Sequence, residues 1–226
     1  MARKVRTEQD KKKRTKKIII ISLVVIILAL LVGFVLWKFV FNKAETKTAQ
    51  PIKILDNQKE YGYSLSEKDS EYFKKEYEKL KEILKSDNID EKEYATQVAR
   101  LFTIDLYTLE TKVNMYDVGG AEYYYLDKKQ MYEQKVMDTL YSTIQDDTYG
   151  GRKQELPEVK EVETVSVEDT TYKIGDKEVN GYLVKLKMTY VKDLKYDTEA
   201  SIVVCKEEGI RWSVVDFQPT LSPKYK

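Results

Sequence analysis

The chain has 226 residues, with 39 Lys and Arg against 38 Asp and Glu and a net charge of +1. It contains no His and a single Cys, Cys205. This excludes Ser-His-Asp and Cys-His catalysis, His-ligated zinc or haem, Cys-ligated clusters and any disulfide within the chain. The near-zero charge is a sum of unlike parts. Residues 1–17 hold nine basic and two acidic side chains, residues 18–41 hold only Lys38, and residues 42–226 hold 29 basic and 36 acidic ones.

Residues 18–37 form an apolar run with only Ser22 and Gly33 as small or polar interruptions. Twenty helical residues reach roughly 30 Å, the thickness of the hydrocarbon core. The stretch 18–41 is therefore read as a transmembrane helix, with Trp37 at the interface. Lys11, Lys12, Lys13, Arg14, Lys16 and Lys17 precede it, inside a basic tail spanning 1–17. The positive-inside rule puts that tail in the cytoplasm and the remainder of the chain beyond the membrane. The run is longer than the core of a cleaved signal peptide, and only Thr48-Ala49-Gln50 resembles a cleavage site. The basic cluster lacks interleaved aromatics or glycines. It is read as a topology signal resting on anionic headgroups, with no nucleic-acid partner expected.

Residues 42–65 are polar, contain Pro51 and read as a stalk. Ser66 with Asp69 resembles a capping box, followed by Phe73, Tyr77, Leu80 and Leu84 on one helical face. A second helix starts at Asp90 and is apolar on nearly every side from 98 to 109, which marks a helix covered all round. Asp117-Val118-Gly119-Gly120 is a turn, and Tyr123, Tyr124 and Tyr125 are either a short strand or the approach to a third helix. That helix starts with Asp127 and Gln130 and carries Tyr132, Val136, Leu140 and Ile144 on one face. Residues 145–157 are a loop.

The period then changes to two. Val165 and Val167 alternate with polar residues, and Asp176-Lys177 and Asn180-Gly181 supply turn chemistry. Tyr182, Val184, Leu186, Met188 and Tyr190 form one face of a long strand, and Ile202 and Val204 continue it. Ile210, Trp212, Val214 and Asp216 are the expected inner series of a last strand ended by Pro219. Helices followed by an antiparallel meander make an α+β arrangement.

With this element order, and with the terminal series Arg211-Trp212-Ser213-Val214-Val215-Asp216-Phe217, residues 66–219 resemble a nuclear transport factor 2-like (cystatin-like) domain. The resemblance implies a cone of about three helices packed on a curved antiparallel sheet of about four strands, with a short tail at 220–226. Basic tail, single span, stalk and outer domain together are similar to the bitopic assembly-factor subunits of type IV secretion and conjugation systems. The Asn-Pro-x-Gly turn of many Gram-negative members is absent, and the Lys- and Tyr-rich composition suits a low-GC Gram-positive bacterium.

Three functional readings follow. The first is a non-enzymatic, single-pass envelope scaffold that binds protein partners or further copies of itself, without cofactor or metal. Grouped Tyr123, Tyr124 and Tyr125 would then mark an interface. The alternative is a ligand-binding or isomerase/dehydratase-like cone enzyme, with Asp105 or Asp216 as a carboxylate base and Tyr107, Tyr182 or Tyr190 as donors. A third reading binds cell-wall glycan through Tyr and Trp. Cys205, without a His partner, reads as an apolar filler, and Asp146-Asp147 as a solvated loop.

Overall fold

The computed structural model describes residues 52–207 and 209–218, and in the N-terminal part residues 17, 19–23, 25–30 and 32. The chain divides into two units, residues 1–48 and 49–226. In the first, the described positions are helical, and every described Ile, Leu and Val between 19 and 32 is at least 50 % exposed. Among the described residues no helix is long and apolar enough to cross a membrane. Positions 18, 24, 31 and 33–41 of the expected span lie outside the described residues. So do Lys11, Lys12, Lys13, Arg14, Lys16, Trp37, Pro219 and the tail 220–226.

The second unit is α+β. The supposed stalk supplies its first two strands: β1 (Ile54–Gln58) pairs antiparallel with β2 (Tyr63–Ser66). Tyr63 and Leu65 enter the core while Ser64 and Ser66 turn away. Two apolar positions are too few to show a period, so the hairpin is hidden in the sequence. The expected capping box is also displaced. Asp69 accepts the Ser66 N–H at 2.7 Å, but Ser66 ends β2, and the helix α1 (Glu71–Leu84) is capped by Ser70, whose hydroxyl accepts from Phe73 N–H. Phe73, Tyr77 and Leu80 face the core as their spacing predicts.

The helix α2 (Glu91–Tyr107) is capped by Asp90, which accepts from Glu93 N–H at 3.0 Å. It packs against α1 and against all four strands of the main sheet. Val98, Leu101, Phe102, Ile104 and Leu106 are fully buried, which accounts for its apolar character on every side. After a 3-10 turn (Leu126–Lys128), the helix α3 (Lys129–Asp138) buries Tyr132 and Val136. It stops earlier than the spacing predicts: Thr139 leaves the helical region, and Leu140 and Ile144 are buried from the following turns. No glycine or proline announces this stop. It carries Tyr141 to the end of α2, where its hydroxyl donates to Leu106 O at 2.9 Å.

The main sheet has the order β3-β4-β5-β6, antiparallel throughout: β3 (Val159–Ile174), β4 (Lys177–Tyr190), β5 (Glu199–Lys206) and β6 (Trp212–Gln218). Gly175 and Asp176 make the only turn between β3 and β4. Asn180-Gly181, expected as a second turn, lies inside β4. Its glycine serves close packing instead: a Cβ there would sit 2.4 Å from Val204 O and 2.6 Å from Cys205 Sγ.

The last strand departs from simple alternation. Val204 pairs with Val214 and Val203 with Asp216, so Val215 is an extra residue on β6. This bulge moves Phe217 onto the core face, opposite Ile202, and turns Asp216 away as a half-buried side chain. Ile210, expected in the inner series, is 45 % exposed and precedes the strand. Beyond β6, Tyr124 makes a parallel bridge with Val214. Tyr125 N–H donates to Val214 O and Val214 N–H to Tyr123 O. The expected Tyr interface is corrected accordingly. Tyr123 and Tyr124 are 1 % and 8 % exposed, held in the core by this backbone pairing, and Tyr125 is half-buried.

Candidate functional site

Asp105 stands near the C-terminal end of α2, and both of its carboxylate oxygens are engaged. Lys112 Nζ contacts Oδ1, and Gly120 N–H donates to Oδ2 at 2.6 Å. Lys112 is 7 % exposed. Burial alone would lower the pKa of its ammonium, but Asp105 foremost outweighs burial and holds it above the ordinary lysine value. Around this pair, Tyr132 donates to Gly119 O at 2.6 Å and Gly119 N–H donates to the Tyr141 hydroxyl at 3.3 Å. The assembly locks the 117–120 turn onto the end of α2, where free carbonyls need donors. It is built as a structural latch.

The other candidates do not join it. Asp216 is turned off the core face by the β6 bulge and accepts the N–H of Phe217. Tyr107 is buried among core side chains. Tyr190 donates to Asp197 O at 2.6 Å. Cys205 is buried, and burial pushes its thiol up to about 11. A thiolate is the reactive form, so Cys205 in the folded protein should resist a thiol-specific disulfide reagent at neutral pH and react fully in denaturant. Rapid labelling of the native protein would contradict the packing described for β5. Asp146 accepts from Thr148 N–H and Asp147 from Arg152 N–H, in a loop tied to residues 110–113 by Asp147 N–H donating to Val113 O and Arg152 donating to Glu110 O and Lys112 O. Among the described residues no group of three or more His, Cys, Asp or Glu side chains is placed to hold a metal.

Two features escaped the sequence. One is a charged network at the open edge of the sheet. Glu76, 1 % exposed, accepts from Lys79 Nζ (2.7 Å), Arg100 Nε (3.0 Å) and Gln97 Nε2 (3.1 Å). Arg100 also donates to Val162 O and to the Tyr72 hydroxyl, which accepts the N–H of Val162. The network satisfies the edge of β3 between its two bulges. Its signal was present: Glu76 is in phase with Phe73, Tyr77 and Leu80, and Arg100 sits in the all-apolar stretch of α2.

The other feature is an open cleft of about 630 Å³ at the first turn of α2, lined by Glu91, Asp169, Thr170, Thr171, Asn180, Gly181, Tyr182 and Trp212. Of the donor candidates, Tyr182 alone lines it, its ring centroid 5.3 Å from that of Trp212. Neither Asp105 nor Asp216 does.

No family model matches the chain, and neither a curated protein nor a solved structure matches it.

Proposed function

We propose that this protein is a single-pass membrane-anchored binding scaffold, with its N-terminus in the cytoplasm and its α+β domain outside. We place it in a cell-envelope complex of the secretion or conjugation kind. The observation that carries the reading is the apolar run 18–37 behind nine basic residues. The exposed Ile, Leu and Val side chains of its described positions suit a helix bathed in lipid.

A nuclear transport factor 2-like cone is the finer reading of the domain. Its support is the element order, with a fully covered α2 against a four-stranded antiparallel sheet. A scaffold role is favoured over a carboxylate enzyme because Asp105 spends both oxygens on the latch and Asp216 faces away from the core. Partners are the lipid bilayer and other proteins of the complex, further copies of this chain included.

The test is protease treatment of intact cells making the protein with an epitope at each end. The C-terminal epitope should be lost, and the N-terminal epitope should survive on a membrane-bound fragment of about 40–60 residues. Protection of the C-terminal epitope, or a mature product lacking the apolar run, overturns the proposal.

A further inference from the structure

The cleft beside α2 has a consistent chemical character. Strand register sets Asp169 opposite Tyr182 and Thr171 opposite Asn180, so these four side chains rise from one face of the β3–β4 pair. The Tyr182 ring is backed by Trp212, which is 4 % exposed and therefore a fixed floor. Glu91 forms another wall, held by Lys206 at 2.5 Å. Asp169 has no ion pair among the described residues, and no basic side chain lines the cleft. Burial, then the negative field of Asp169, Glu91 and Asp90, pushes the Tyr182 hydroxyl above the ordinary tyrosine value.

Three ligand chemistries compare differently against these walls. An anion meets the carboxylate of Asp169, which has no ion pair among the described residues, and the electron-rich face of a ring, while Glu91 is already matched by Lys206. A neutral polyol finds hydrogen bonds at Asn180 and Thr171 but leaves the charge of Asp169 unmatched. A cation is attracted both by the carboxylate and by the ring quadrupole. The volume lies within the range of small-molecule sites.

We propose that this cleft binds an organic cation, an ammonium group on a short apolar stem, with the charge between Asp169 and the Tyr182 ring and the stem toward Trp212. The inference goes beyond the scaffold reading and holds on whichever side of a membrane the domain lies. The same chemistry is offered by a free amine and by a lysine side chain in an extended peptide.

The test uses the full-length chain in detergent with Trp37→Phe, which leaves Trp212 as the only indole. Trp emission is followed while butylammonium, butanol, butyrate, glucose or the peptide Gly-Gly-Lys-Gly-Gly is added. Butylammonium and the peptide should give saturable changes that the other three do not. Asp169→Asn and Tyr182→Leu should each weaken them by about three- to fivefold, with helix content unchanged by circular dichroism. Tighter binding of the peptide assigns the site to a protein partner, and tighter binding of butylammonium assigns it to a free amine; both support the cation site. No saturable response to either cation, an equal or stronger response to butanol or glucose, or an Asp169→Asn protein that binds unchanged overturns it.

Discussion

Replacing Glu76 by Ala should destabilise the domain by about 3–5 kcal/mol, because it strands a buried charge. The Arg100 side chain is 13 % exposed, and Glu76 is the one carboxylate that pairs with it among the described residues. Removing that partner leaves a guanidinium whose remaining acceptors are neutral: Val162 O, Thr164 and the Tyr72 hydroxyl. For a domain of this size the loss corresponds to a fall in Tm of about 6–20 °C. Lys79→Ala removes the half-exposed partner of the same carboxylate and should cost less than about 1 kcal/mol. In a double-mutant cycle, Glu76→Ala with Arg100→Ala should lose less than the sum of the single changes. A Glu76→Ala loss no larger than that of Lys79→Ala would mean that Arg100 reaches water and that the network does not hold the sheet edge.

The same carboxylate gives the pH dependence a sign. Burial pushes Glu76 upward, but Lys79, Gln97 and Arg100 outweigh burial and bring its folded pKa below the ordinary 4.5. Its contribution is therefore fully present above pH 4.5 and is lost as the pH falls through the depressed folded value. Asp69 acts in the opposite direction, since burial raises its carboxyl. Chemical denaturation of Glu76→Gln between pH 6 and pH 3 should show a shallower acid-side loss than the parent chain. An identical slope would assign the acid sensitivity to other groups.

Gly119→Ala should be as damaging, by sterics alone. A Cβ at Gly119 would lie 2.1 Å from the carbonyl oxygen of Asp105, 2.6 Å from its carbon and 2.8 Å from the Tyr141 hydroxyl. Two of these atoms belong to the backbone of α2 and cannot swing aside, so the latch must open. The expected cost is about 3 kcal/mol or more, at the upper end of overpacking effects. Gly150→Ala is the control. Gly150 has φ +76° with nothing within 4 Å of its would-be Cβ, so only backbone strain of about 1 kcal/mol is at stake. Guanidinium unfolding monitored by circular dichroism compares the two. Equal losses would refute the close approach of the 117–120 turn to the end of α2.

Much of the architecture was legible because it rests on local periodicity. The buried faces of α1 and α2, the acidic cap at Asp90 and the alternation along β4 all repeat at intervals of two to four residues, which a single strand of text displays. The latch around Asp105 was half legible. A lone carboxylate on an apolar helix predicts a counter-charge, but Lys112 lies beyond the helix end and only the 117–120 turn brings its other partner, Gly120, into reach. The cleft was not legible at all. Asp169 and Tyr182 face each other through strand register, and Trp212 and Glu91 come from elements far apart in the chain.

What the amino-acid order determined by itself is the division into a basic start, an apolar run and an α+β domain with a fully covered helix, because hydrophobic burial imposes its period on each element separately. Tertiary structure alone decided which polar groups meet. It recruited residues 54–66 into a hairpin, turned Asp216 off the core face by one extra residue in β6, and drew Tyr123 and Tyr124 inward through backbone pairing with Val214. A bulge or a backbone bridge costs little locally and leaves no period in the sequence, yet each reverses which side of a strand faces water.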